Sequence, residues 1–172
     1  MKKVLTALTV LALSTTAAHA GSYISAGYGY ISNSSDVKTA ITKQKFKDTN
    51  LYSAAFGHDF AVVPLRAELE AFYSRAAAKR ADDHMKAYGA MVNGYARVPV
   101  IGLYGGAGIG YGSVFNKSTP LAQGMVGLEY GFAVVNVGLE YRHTKSVGSA
   151  KRKNADIDYK TDAVMLKVRL GF

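Results

Sequence analysis

Cysteine and tryptophan are absent from the 172 residues, and proline occurs only three times. Without cysteine the chain has no disulfide framework, no thiol nucleophile and no lipid-modified N-terminal cysteine. Acidic residues are the minority, 12 Asp and Glu against 21 Lys and Arg, for a formal net charge of +9. No stretch reaches eighteen consecutive apolar residues, so any membrane crossing has to be made by strands. What the chain has in quantity is 18 Gly, 12 Tyr and 7 Phe. That mixture suits closely packed strands with aromatic side chains near membrane interfaces, tyrosine standing in for the missing tryptophan.

Residues 1–20 read as a signal peptide, with Lys2 and Lys3 ahead of a mostly apolar run from Val4 to Leu13 and an A-x-A ending at Ala18, His19 and Ala20. A retained anchor helix fits less well, because the run is too short to span a bilayer. Removing the two lysines leaves 19 basic against 12 acidic residues, a mature charge of about +7. Residues 21–172 are then expected to form one domain.

The closing stretch, Tyr159 to Phe172, sets the pattern for that domain. Val164, Leu166, Val168, Leu170 and Phe172 share one parity, and Ala163, Met165, Lys167, Arg169 and Gly171 share the other. Period-two alternation with cations on only one face marks a strand between unlike media. The stretch is long enough to cross a bilayer at a tilt of about 45°. The same alternation predicts seven earlier strands, at 21–32, 51–60, 65–74, 84–96, 101–113, 121–131 and 135–142. The clearest puts Leu65, Ala67, Leu69, Ala71 and Tyr73 opposite Arg66, Glu68, Glu70 and Ser74. The glycine-rich fifth strand has the least secure register. The connections are expected to alternate long and short, the long ones being 33–50, 75–83, 114–120 and 143–158. An even count with alternating connections predicts an all-β, eight-stranded antiparallel transmembrane β-barrel with both termini periplasmic. A soluble β-sandwich is the rival, although its strands are usually shorter and its wet faces more charged.

The segments RAELEAFYS (66–74) and GAMVNGYARVPVIGLYGGAGIGYG (89–112), with VNVGLEYRH (135–143) and VMLKVRLGF (164–172), resemble the opacity family and the OmpA-like small outer-membrane β-barrel domains. The resemblance runs over essentially the whole mature chain and implies an outer-membrane location in a Gram-negative bacterium. It also implies that an ending such as Val168, Leu170 and Phe172 is read by the barrel-assembly machinery. Arg97 departs from it, standing at a turn where the family carries an acidic residue.

Parity places Arg66, Arg142, Lys167 and Arg169 inside with Glu68, Glu70, Glu129 and Glu140, four charges of each sign. An eight-stranded barrel is just wide enough for side chains to fill, and a dry charge has to be paired. The expectation is a salt-bridged plug; the alternative is a gate that opens a low-conductance pore. Glu68 and Glu70 sit among cations, which argues against acid/base catalysis. His143 and Ser146 could suggest a lipid-modifying enzyme, but the spacing puts them on opposite faces of an extended strand and no carboxylate is placed to orient the histidine. The remaining histidines offer no metal-ligand spacing, and no cofactor is expected. The loops carry the surface cations, with Lys79, Arg80, Lys145, Lys151, Arg152 and Lys153 as candidate surface-binding residues. A basic crown suits outer-membrane lipids and lipopolysaccharide, acidic glycans or a host surface. Nucleic acid is not expected, given the export signal and the lack of loop aromatics. The expected product is a monomeric, non-enzymatic envelope protein whose loops serve adhesion or recognition.

Overall fold

A computed structural model describes residues 21–34, 37–39, 42–44, 49–60, 63–77, 84–98, 100–114, 117–147, 150–152, 155–157 and 159–172. The signal-peptide assignment and the candidates Lys79, Arg80 and Lys153 lie outside them. Within the described residues twelve strands follow one another. They are β1 (Gly21–Ser34), β2 (Val37–Thr39), β3 (Thr42–Gln44), β4 (Thr49–Asp59), β5 (Leu65–Ala77), β6 (His84–Val98), β7 (Leu103–Val114), β8 (Lys117–Phe132), β9 (Val135–Ser146), β10 (Ala150–Arg152), β11 (Ala155–Ile157) and β12 (Lys160–Gly171).

Eight of these close into an antiparallel barrel in the order β1, β12, β9, β8, β7, β6, β5, β4. The seam between β1 and β12 is a full ladder, from Tyr23 opposite Gly171 to Ser34 opposite Thr161. The short pairs β2/β3 and β10/β11 form separate hairpins within the first and last long connections. No edge of the barrel wall is left unpaired.

Burial in this wall is inverted relative to a soluble fold. Leu69, Val92 and Leu166 are 58%, 59% and 51% exposed, whereas Glu70 and Arg142 are 1% and 2% exposed. The outward parity is an apolar band and the inward parity carries the charges, which excludes the β-sandwich. Tyr28, Tyr52, Tyr73 and Tyr88 are cross-strand partners in a single outward row around β1, β4, β5 and β6. Phe60, Phe132 and Phe172 are exposed at the opposite end. The phenylalanines mark one rim of the apolar band, and the tyrosine row climbs the wall toward the other, from Tyr28 in the middle of β1 to Tyr73 and Tyr88 near the Ala77–His84 end of β5 and β6. By the rule of short periplasmic turns, the phenylalanine rim is periplasmic.

Several strand boundaries differ from the expectation. β7 starts at Leu103, because residues 100–102 are spent on a turn in which Gly102 takes φ +68°. A side chain there would run into the carbonyl of Glu129, whose own N–H donates to Gly102 O at 2.9 Å. The third long connection is short: Val114 is already opposite Lys117, and β8 runs straight through Pro120. β5 and β9 also continue beyond the predicted ends, to Ala77 and Ser146, so Arg75, His143 and Lys145 are wall residues and not loop residues. At the opposite rim Ala133, at φ 52°, turns β8 into β9 within two residues.

Candidate functional site

The inward faces of the eight strands converge on two tiers of charge. The lower tier, nearer the termini, is built from the ends of strands. Asp59 at the end of β4 accepts from Arg66 Nε at 2.9 Å, Arg97 Nη1 at 3.2 Å and Arg169 Nη1 at 2.6 Å. Glu129 on β8 is met by the same three guanidinium groups, Arg66 Nη2 at 3.1 Å, Arg97 Nη2 at 3.4 Å and Arg169 Nη2 at 2.6 Å. Three arginines thus share two carboxylates, leaving a formal charge of +1.

The upper tier sits at mid-barrel and has the opposite balance. Arg142 on β9 donates through Nη1 to Glu70 and through Nη2 to Glu140, each at 2.7 Å. Lys167 on β12 lies 3.1 Å from Glu68 and 3.6 Å from Glu140. Two cations face three carboxylates, a formal charge of −1. Neutral donors satisfy the excess acceptors. Tyr23 and Tyr95 each donate a hydroxyl to Glu68 at 3.0 Å, and Tyr104 donates to Glu140 at 3.1 Å. Asn93 donates to Glu70 at 2.8 Å, and Gln123 donates to Asn93 Oδ1 at 2.6 Å.

Tyrosine rings separate the tiers. The Arg66 guanidinium stands 5.3, 5.8 and 5.8 Å from the ring centres of Tyr23, Tyr95 and Tyr104, and that of Arg169 4.7 Å from Tyr23. Room for these rings comes from glycine on neighbouring strands. A Cβ at Gly57 would meet the Tyr23 ring, one at Gly106 the Tyr95 ring and one at Gly127 the Tyr104 ring.

All eight sequence-derived luminal residues, Arg66, Glu68, Glu70, Glu129, Glu140, Arg142, Lys167 and Arg169, fall into these tiers. The structure corrects the count of four and four to five and five, because Asp59 and Arg97 belong as well. Both have inward parity but stand at strand ends beside short turns. The Arg97 departure is resolved here, since its charge is taken up by Asp59 and Glu129. Arg169 Nε is the single buried side-chain polar atom without a partner among the described residues.

A second correction concerns His143. Its Nδ1 lies 2.7 Å from Asp162 Oδ1, on the neighbouring strand, and Tyr141 Oη donates to the same oxygen at 2.6 Å. A carboxylate does orient this histidine; it was missed because the register of β9 against β12 cannot be read from either strand alone. Ser146 has the opposite parity, and its Oγ accepts from Tyr159 N at 3.1 Å. Among the described residues no group of His, Asp and Glu could hold a metal ion.

The remaining described candidates do not belong to the two tiers. Val168, Leu170 and Phe172 face outward, and Phe172 N donates to Ser22 O at 3.0 Å, tying the last residue to the first strand. Lys145 is an exposed wall residue of β9, and Lys151 and Arg152 fall on the short strand β10.

Comparison with known proteins agrees with this architecture. The family described as Outer membrane protein beta-barrel domain matches residues 4–172. The chain belongs to that family. No curated protein matches it significantly in sequence. Among solved structures it is similar to Neisserial surface protein A, with a TM-score of 0.60 at 16% identity over 88% of this chain and 97% of that one. It is also similar to Ail, the attachment invasion locus protein of Yersinia pestis, with a TM-score of 0.55 at 20% identity over 89% of this chain and 99% of that one. At these identities the likeness is one of fold. Membership in the family places the chain in the outer membrane, its apolar band against lipid and its charge tiers enclosed.

Proposed function

We propose that this protein is a non-enzymatic, non-conducting element of the outer membrane whose barrel carries basic loops outward for adhesion or recognition. The observation that supports it is the pairing of all ten luminal charges into two tiers that bridge the barrel interior. A conducting pore needs polar groups that bind ions weakly and release them. Here every carboxylate is held by two or more donors, and a hydrated ion would have to break charge-assisted bonds to pass. The loop cations Lys79, Arg80, Lys151, Arg152 and Lys153, with the net positive charge, favour an acidic glycan or host surface as the partner.

At His143 the machinery for catalysis is incomplete. The histidine is oriented by Asp162, but the nearby hydroxyl, Ser146, is turned to the interior and occupied by Tyr159 N. A dyad without a positioned nucleophile has no covalent route.

The test is planar-bilayer recording of the refolded protein. Wild type is expected to give no discrete channel openings, and Glu70→Gln/Arg142→Gln, which opens the mid-barrel tier, is expected to give small ones. Regular openings of wild type would overturn the closed-barrel reading in favour of a low-conductance pore. Altered lipid A in cells that overproduce the protein, lost on His143→Ala, would overturn the non-enzymatic part.

A further inference from the structure

The outer surface carries charge where a barrel wall should not. Arg75 on β5 and Lys86 on β6 are direct cross-strand partners, both exposed and both on the lipid-facing parity. Like charges directly opposite one another destabilise an antiparallel pair. Neither side chain has a carboxylate within ion-pairing distance among the described residues. Asn50, the partner of Arg75 on the other side, is neutral.

Their height on the wall says what surrounds them. The pair stands one outward position above Tyr73 and Tyr88 and two residues from the Ala77–His84 end of the β5/β6 ladder, which is the extracellular end. Two residues along a strand is about 7 Å, enough to leave the hydrocarbon and enter the headgroup layer. Beside the pair the wall continues into a groove of about 400 Å³, lined by Tyr88, Tyr111, Ser113 and Ser118 with the backbone of Gly89 and Gly112 between them. Tyr88, Ser113 and Ser118 are successive cross-strand partners on the outward face. Two cations, two exposed tyrosine rings and two hydroxyls therefore occupy one continuous patch. A second like-charge pair lies on the far side of the barrel, where Lys145 opposes Lys160 next to the His143–Asp162 pair.

We propose that the outward wall of β5 to β8 at the extracellular rim is a binding site for a phosphorylated glycolipid of the outer leaflet. A phosphate seated between Arg75 and Lys86 turns a repulsive pair into a bridge, with Arg75 offering a two-pronged contact and Lys86 a point charge. The sugar adjoining the phosphate enters the groove, its apolar face on Tyr88 and Tyr111 and its hydroxyls toward Ser113 and Ser118. The inference rests on the outer-membrane placement and is independent of whether the lumen conducts.

The test measures the heat required to unfold the barrel, read as the boiled and unboiled forms on detergent gels, in vesicles of phosphatidylethanolamine with and without bisphosphorylated lipid A. Lipid A is expected to raise the unfolding temperature of wild type and to co-purify with it. Arg75→Gln/Lys86→Gln is expected to lose the increment and to retain about tenfold less lipid A, while Arg75→Lys/Lys86→Arg keeps both. The conservative variant guards against a folding defect, and Ser113→Ala/Ser118→Ala should weaken retention without touching a charge. An increment that survives in the glutamine variant, that is equal with dephosphorylated lipid A, or that inorganic phosphate alone reproduces, would overturn the proposal. Each outcome is read independently of bilayer conductance, so a conducting wild type that still binds lipid A would leave this site standing.

Discussion

Glu70 and Arg142 lie 2.7 Å apart across the full width of the barrel. In the closed order β5 and β9 are four places apart among eight strands, which makes them diametric. The bond is therefore a strut between opposite walls, and both partners are nearly inaccessible to solvent. Removing one end leaves the other charge stranded in a dry interior. Arg142→Met is expected to cost about 3–5 kcal/mol of unfolding free energy, checked by urea titration of the refolded barrel. Adding Glu70→Gln to Arg142→Met should recover part of that loss, because the stranded carboxylate is removed as well.

Glu68 accepts from two tyrosine hydroxyls and from Lys167. Tyr23→Phe and Tyr95→Phe each delete one donor to a charged acceptor while preserving the ring. Each is expected to cost about 1.5–3 kcal/mol. Because the two share one acceptor, the double variant should depart from additivity, which a double-mutant cycle in urea would reveal.

Two glycines on facing parities of the wall should respond in opposite ways to alanine. At Gly108 a methyl group would collide with the Asn93 side chain, and with it the Asn93 contacts to Glu70 and Gln123. Gly108→Ala is expected to lower stability by about 1–3 kcal/mol. At Gly94, which faces lipid, the same methyl meets nothing. Gly94→Ala should be neutral or slightly stabilising, since it removes freedom only from the unfolded chain. Comparing unfolding temperatures of the two variants checks both.

The outward histidine offers a further check. Asp162 is shared by His143 and Tyr141 on one exposed patch of the wall. His143→Ala removes one exposed contact, and a change in stability below about 1 kcal/mol is expected. A much larger loss would mean that this patch is structural.

The strands were legible in the sequence because the two faces of the wall meet different media. Wherever a strand alternates Leu, Val or Tyr with Glu, Arg or Gly, one parity has to be the lipid face, and β5 and β12 declare it unaided. β7 does not: glycine at 105, 106, 108, 110 and 112 gives neither face a preference. Its register is imposed by Tyr95 and Asn93 of β6, which fill the space that those glycines leave. Asp59 and Arg97 were hidden for another reason. They stand at strand ends, where alternation stops carrying information, and only the closed barrel shows them pointing at each other. The pairs Arg75–Lys86 and His143–Asp162 depend on inter-strand register, which period-two patterning within one strand does not contain.

The unequal sharing in the two tiers makes the barrel axis electrically polar. An anion entering from the periplasmic end is drawn to the arginine-rich tier and then repelled by the carboxylate-rich one above it. A cation from the same end is turned back at the first tier. On the closed-barrel reading proposed above, neither sign has a downhill route through, and thermal loosening of the network is expected to admit water before salt.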